Sequence, residues 1–185
     1  MKLKFINAKD DRAVWRDIKK LYFSAFPKEE RFAFCYIKRK SKTEAEECIA
    51  VYDNGIYAGL LILVRFKDVT LLFYFAVADN LRGKGYGTEI LNGLKEFYPD
   101  DRIILMFEIP DENSPNNAQR LQRKAFYEKN GFCDCGYITE ERGVKYKTYS
   151  YGGMVSEEEF TELLINYIGK RLFKKYYNFY DEKEI

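Results

Sequence analysis

At 185 residues the chain suits one domain with a sizeable core and is too short for two ordinary ones. Charged residues make up 32% but balance to a net charge of +2, which excludes the strong basic field of a nucleic-acid binder. There is no His, and the four Cys (Cys35, Cys48, Cys133, Cys135) are too few and too scattered for a disulfide framework, so a reducing compartment is expected and a metal site is not.

The first ten residues lack the apolar core of a signal peptide, and no run approaches the ~18 apolar residues of a membrane span, so a cytoplasmic protein that does not engage a membrane is expected. Leu3–Asn7 reads as a first strand. Asp10 and Asp11 then stand before Val14, Ile18, Leu21, Tyr22 and Ala25, the spacing of an amphipathic helix with acid at its start. Phe26-Pro27 ends it, because a residue before proline is pushed out of the helical region. A second helical pattern is expected from about Lys28, carrying Phe32, Cys35, Tyr36 and Arg39, with a polar loop after it. Apolar runs over 48–52 and 56–66 flank Asp53-Asn54-Gly55, a hairpin signal, and Lys67-Asp68 is a second tight break. Three antiparallel strands in a meander follow from that pattern.

The third of them, residues 71–78, is apolar or aromatic throughout, as suits a strand covered on both faces. After Asp79-Asn80 come Arg82, Gly83, Lys84, Gly85, Tyr86, Gly87 and Thr88, and then Ile90, Leu91, Leu94 and Phe97 at helical spacing. A buried strand, a glycine-rich turn and a helix start form an anion site: backbone N–H groups converge there, the helix dipole adds about half a positive charge, and glycine permits positive φ. A phosphate or pyrophosphate is the expected guest. Pro99-Asp100-Asp101 stops the helix and 103–109 is the next strand, which strand–helix–strand order makes parallel to the one before.

Ser114-Pro115 is expected to supply the N-cap and first position of a helix with the stripe Ala118, Leu121, Ala125 and Phe126, closed by Asn130-Gly131. Residues 132–138 and 144–151 read as a last hairpin around Glu140-Glu141-Arg142-Gly143. Ser156 and Glu159 make a capping box ahead of Phe160, Leu163, Leu164, Tyr167 and Ile168. The tail from Lys170 is basic and aromatic, then acidic over 181–184.

Three glycine signatures compete for residues 83–87. The nucleoside-triphosphate loop requires Gly-Lys-Ser/Thr, which is absent. The dinucleotide fingerprint requires G-x-G-x-x-G, and the spacing here is one residue short, although Glu108 stands where a ribose-binding acid would. The third, Arg/Gln-x-x-Gly-x-Gly/Ala, is met by Arg82, Gly85 and Gly87. With the meander before it and Ala125-Phe126-Tyr127-Glu128-Lys129-Asn130-Gly131-Phe132 after it, the sequence resembles the GCN5-related N-acetyltransferase (GNAT) family over most of residues 5–151.

The resemblance implies acetyl-coenzyme A as co-substrate and no metal. Its pyrophosphate would lie on the amides of Arg82, Gly83, Lys84, Gly85, Tyr86, Gly87 and Thr88, and its pantetheine arm would pair with Phe75, Ala76 and Val77, one of whose amides polarises the thioester carbonyl. The family tyrosine that protonates the departing thiolate matches Tyr127. Many members carry Asn seven residues before it, where this chain has Arg120, with Asn116 and Asn117 a further turn back. Arg120, Arg123 and Lys124 either meet nucleotide phosphates or form a solvated basic face.

An amine acceptor must shed a proton before it attacks, and without His the base is a carboxylate or water; Glu108, after an apolar strand, is the leading carboxylate, expected in a buried setting that raises its pKa. The resemblance puts the acceptor near Phe26, Glu30 and Arg31, where Glu30 would attract a cationic amine and Arg31 a substrate carboxylate.

The expected fold is a single α/β domain: a mixed, mostly antiparallel sheet with a parallel splayed pair and helices on both faces. Residues 1–155 form the GNAT-like part and 156–185 a helical extension, packed on the same domain or on a partner subunit in a homodimer. The expected activity is acetyl transfer to a primary amine of a small molecule or peptide by direct attack in a ternary complex. One rival is a coenzyme A-binding regulatory module without chemistry; another is an interaction protein using the aromatic tail 172–180.

Overall fold

The computed structural model describes residues 1–9 and 11–181; Asp10 and residues 182–185, which include the acids Glu182 and Glu184 of the tail, lie outside them. Its fold is mixed α/β, with a sheet ordered β1-β2-β3-β4-β5-β7-β6-β8 that has one parallel pair, β4 and β5. The strands are β1 (Leu3–Asn7), β2 (Glu46–Asp53), β3 (Ile56–Phe66), β4 (Val69–Val77), β5 (Arg102–Glu108), β6 (Cys133–Glu141), β7 (Val144–Tyr151) and β8 (Tyr177–Asp181). The helices are α1 (Arg12–Ala25), α2 (Phe34–Lys40), α3 (Tyr86–Phe97), α4 (Asn117–Lys129), α5 (Glu157–Ile168) and α6 (Lys170–Tyr176). The chain forms two compact units, Met1–Arg65 with Leu72–Pro99, and Phe66–Leu71 with Asp100–Ile185.

In the first unit α1 starts where Asp11 accepts hydrogen bonds from the Ala13 and Val14 amides, at 2.8 and 3.1 Å. It ends at Phe26, whose extended backbone precedes Pro27. The buried face of α1 (Val14, Trp15, Ile18, Leu21, Tyr22) packs with Ile37 of α2 on Cys48, Ala50, Leu60, Ile62, Tyr74 and Ala76, alternate residues of β2, β3 and β4. The opposite face takes α3, whose Gly93 leaves room for the Phe5 ring of β1 that a Cβ would strike. The β2–β3 turn is Asn54-Gly55 with both φ positive, at 49° and 84°, as the sequence leads one to expect.

The helical pattern expected from Lys28 divides. Residues Lys28–Glu30 make one 3₁₀ turn, Arg31 is extended, and α2 begins only at Phe34. Two tyrosine hydroxyls outcompete the helix for this backbone. Tyr74 donates to the Glu30 carbonyl (2.8 Å) and accepts from the Phe32 amide (3.0 Å), and Tyr22 donates to the Phe32 carbonyl (3.0 Å).

In the second unit β4 and β5 pair over Val69↔Arg102, Thr70↔Ile103 and Leu71↔Ile104, and β5, β7, β6 and β8 follow in antiparallel order. Two sequence expectations are corrected here. Ser114-Pro115 does not start α4: the Ser114 hydroxyl is spent on the Asn116 side chain at 2.6 Å, Pro115 lies in a turn, and the helix begins at Asn117. The strand expected to stop near Ile138 continues to Glu141, so the β6–β7 turn is Arg142-Gly143 alone, both residues at positive φ.

The capping box of α5 is present, with Ser156 and Glu159 bonding each other's backbone. The tail is not purely helical. After α6 it forms β8, which pairs with β6 from Tyr137↔Asp181 to Glu141↔Tyr177. Phe179 of β8 packs against Tyr137, Phe160 and Phe173 at centroid distances of 5.8 to 6.1 Å, so the aromatic residues at its end hold it to the unit's core. Among the described residues no helix is long and apolar enough to cross a membrane, and no group of three or more Cys, Asp or Glu is placed to hold a metal.

Candidate active site

The first unit carries the glycine turn. β4 runs out at Val77, and the Ala78 amide donates to Ala58 of β3 at 2.9 Å. By strand alternation the polar groups of Val77 therefore point to the edge of β4 away from β3. Its carbonyl meets Arg82 there, whose Nε donates to it at 3.2 Å. Arg82 also pairs with Asp79 at 2.8 Å, and Lys84 Nζ donates to the Asn80 carbonyl at 2.9 Å. The two cations of the turn thus fold back on the loop that presents them. Phe75 and Val77 are half-buried and Ala76 is buried.

Gly83 and Gly85 adopt φ of 71° and 85°. Gly85 is the N-cap of α3 in the left-handed region and offers no side chain to the helix. The first main-chain bond of α3 runs from the Glu89 amide to the Gly85 carbonyl at 3.2 Å, leaving the amides of Tyr86, Gly87 and Thr88 at an uncapped start. Beyond Gly83 lies open space, with nothing within 4 Å of where its Cβ would be. An exposed turn of amides with no side-chain cap fits a phosphate group, and α3 is long enough for its dipole to favour an anion there. Tyr86 looks away from such a guest: its hydroxyl donates to Asp53 at 2.8 Å, and a bond from the Lys2 amide, joined by this one, holds the Asp53 carboxyl below its ordinary range.

The same unit carries Phe26, Glu30 and Arg31. Phe26 is half-buried against Tyr22 and Tyr74, with ring centroids 5.6 and 4.8 Å away. The Glu30 carbonyl is held by Tyr74, and the Arg31 guanidinium lies over the Phe23 ring at 4.8 Å. Tyr22 and Tyr74 are the residues that sequence reading missed. Their hydroxyls close on a segment 42 or more positions from Tyr74, and only the density of aromatics in α1 and β4 hinted at a cluster.

The second unit carries Tyr127 and Glu108. Tyr127, on α4, stacks on Phe107 of β5 (5.6 Å, 28°) and meets the edges of Phe126 and Phe132. Burial pushes its phenol up to about 12, with the Arg123 charge pulling the other way. Its hydroxyl has no hydrogen-bond partner among the described residues, so the proton is not committed to holding the fold together.

Glu108 is nearly buried, its side chain 13% exposed, but its surroundings are ionic and not the apolar ones the sequence suggests. Oε1 accepts from Arg120 Nη2 at 2.8 Å; Oε2 accepts from Asn116 Nδ2 at 3.1 Å and lies 3.6 Å from Arg123 Nη1. Arg120 also donates to Asn116 Oδ1 and the Ile109 carbonyl, both at 2.8 Å. Arg120 therefore belongs to a packed cluster, whereas Arg123 and Lys124 are about half-exposed on α4.

A model of the acetyltransferase (GNAT) family matches residues 12–132. No curated protein matches the chain by sequence. Among solved structures the chain is similar to a GNAT-family protein from Bacteroides thetaiotaomicron, at 20% identity over 94% of this chain and 97% of that one, with a TM-score of 0.72. It is also similar to an aminoglycoside 6'-N-acetyltransferase in complex with coenzyme A (14% identity, 82% and 96% covered, TM-score 0.64). A third is the ribosomal-protein-S18-alanine N-acetyltransferase of Escherichia coli (15% identity, 84% and 97% covered, TM-score 0.61). At these identities the likeness carries the fold alone.

Proposed function

The chain belongs to the acetyltransferase (GNAT) family, and from that premise we propose that it transfers an acetyl group from acetyl-coenzyme A to a primary amine of a small molecule or peptide, by direct attack in a ternary complex. The observation that carries this reading is the uncapped start of α3 behind a left-handed Gly85, a site built of backbone amides with no side chain filling it. Under the proposal Gly83, Lys84, Gly85, Tyr86, Gly87 and Thr88 hold the pyrophosphate through their amides, and Arg82, whose own amide donates to the Asp79 carbonyl at 3.4 Å, frames the turn. Phe75, Ala76 and Val77 align the thioester, and an amide among them stabilises the oxyanion. Phe26, Glu30 and Arg31 receive the acceptor, in a segment that Tyr22 and Tyr74 hold rigid.

The acceptor nitrogen attacks the thioester carbon, a C–N bond forms, and the C–S bond breaks. The leaving thiolate takes a proton from Tyr127, which its raised pKa of about 12 keeps protonated at neutral pH. The acceptor ammonium must lose a proton first. Of the two bases open to this chain, Glu108 and water, the geometry supports water, because both Glu108 oxygens already accept hydrogen bonds. Four free thiols and no disulfide among the described residues suit a cytoplasmic enzyme.

Isothermal titration with acetyl-coenzyme A tests the donor reading. Binding is expected for the natural chain and at least tenfold weaker binding for Gly85→Val, which cannot hold the left-handed N-cap without strain. Absence of binding to the natural chain overturns the assignment. Coenzyme A release across a panel of amines and peptides then identifies the acceptor.

A further inference from the structure

Tyr127 raises an electrostatic problem that its own aromatic surroundings cannot solve. When the phenol gives up its proton, a negative charge appears on a group packed by Phe107, Phe126 and Phe132, which offer no hydrogen bond. Burial raises the phenol to about 12, and the charge that already pulls against that rise is the Arg123 guanidinium.

On α4, Lys124 and Glu128 are already engaged: they pair at 3.8 Å, and Tyr149 of β7 donates to Glu128 at 3.1 Å. Glu108, the residue after Phe107 on β5, is the carboxylate nearest in sequence to the stacked ring, and it lies between two guanidinium groups. One carboxylate against Arg120 and Arg123 leaves that cluster one positive charge in excess. Arg123 is also one helical turn before Tyr127, at the i, i+4 spacing that puts two side chains on one face of α4.

We propose that Arg123, tethered by Glu108, is a positioning residue for the acid step: its guanidinium stabilises the phenolate that Tyr127 becomes when its O–H bond breaks and the S–H bond of coenzyme A forms. The phenolate recovers its proton from solvent, which closes the balance. Arg120 is the inner anchor of the cluster, bonded to Glu108, Asn116 and the Ile109 carbonyl; Arg123, half-exposed and with a longer contact to Glu108, is the one able to respond to the charge on Tyr127. On this view Glu108 serves by aiming an arginine and not by taking a proton. The inference rests on the reading of Tyr127 as proton donor.

The test places a fluorotyrosine at position 127 in the full chain, which lowers the phenol's titration into an accessible range, and follows it by fluorine NMR. In Arg123→Met the midpoint is expected to rise by roughly half a unit, a threefold change in acidity, and Arg123→Lys should recover most of it. With Tyr127 natural, Arg123→Met should lower kcat about threefold and leave the KM for acetyl-coenzyme A unchanged. An unmoved midpoint overturns the inference. A raised KM with an unmoved midpoint does so too, and would make Arg123 a phosphate contact. If Tyr127→Phe keeps full turnover, the acid reading fails, and the inference with it, whatever the titration shows.

Discussion

β5 carries an arginine–carboxylate cluster at each end, and the two are built to opposite charge. At its start Arg102 binds Asp68 through Nε and Nη2 (2.9 and 2.8 Å), Glu159 bidentately (2.6 and 3.0 Å) and the Met154 carbonyl at 2.8 Å. One guanidinium faces two carboxylates there, and every donor it has in those bonds ties β5 to the chain before it or to the start of α5. At its end one carboxylate, Glu108, faces Arg120 and Arg123. The same chemistry gives a clamp in the first case, since every partner is backbone or a fixed carboxylate. In the second it leaves a partly exposed cation one helical turn before an ionisable phenol. Charge excess and the neighbouring group, not the presence of an ion pair, separate the structural cluster from the one proposed to serve the acid step.

The sharpest way to break that contrast is to remove the phenol. Tyr127→Phe is expected to lower kcat about 100-fold with a good amine, the ordinary scale of general acid catalysis. Its Tm should be unchanged, because the hydroxyl makes no hydrogen bond among the described residues. A steady-state assay beside a thermal melt checks both halves; a lost Tm would mean the hydroxyl holds structure. The complementary change is Arg102→Met, which keeps bulk and removes the charge-assisted bonds. It should cost about 2 kcal/mol, or roughly 4–8 °C in Tm for a chain of this size, and leave kcat per folded molecule intact. A drop in kcat without a drop in Tm would show that the clamp takes part in turnover.

How much of this was legible in the sequence depends on the range of the interactions. The Asn54-Gly55 turn, the Asp11 cap, the Ser156–Glu159 box and the glycine turn are local, set by residues within four positions of one another, and each was readable. The parallel β4–β5 pair was readable too, because a helix between two strands leaves little choice. The rest was hidden by distance. Phe32 left the helical pattern because Tyr74, 42 positions on, takes its amide. β8 reads as a polar-aromatic tail until β6 supplies its hydrogen bonds and Phe160 a surface for Phe179. Glu108 reads in the sequence as a buried acid after an apolar strand, but its neighbours Arg120 and Asn116 come from the far side of a loop and redefine what it can do. Ser114-Pro115 carried a sound capping signal, lost when the serine found a side-chain partner two residues away.

The smallest expected effect tests the clamp by pH. Hydrogen bonds from Arg102 and from the Ser156 amide hold the Glu159 carboxyl down to about 2, below the ~4.3 of an unfolded glutamate. A depressed carboxyl contributes stability that is whole above the unfolded value and drains away as pH falls through the folded one. The window is therefore about 4.3 to about 2, with nothing to gain or lose near neutrality. Because the Glu159 side chain is 41% exposed, solvent screens the pair and the contribution is modest. Glu159→Gln separates the charge from the cap, since glutamine can close a capping box as glutamate does. The variant should start less stable at pH 6 and converge on the natural chain as the pH approaches 2, read as urea midpoints at each pH. Parallel curves across that window would mean that Arg102 draws nothing from the Glu159 charge, and that the clamp at the start of β5 holds by hydrogen bonding alone.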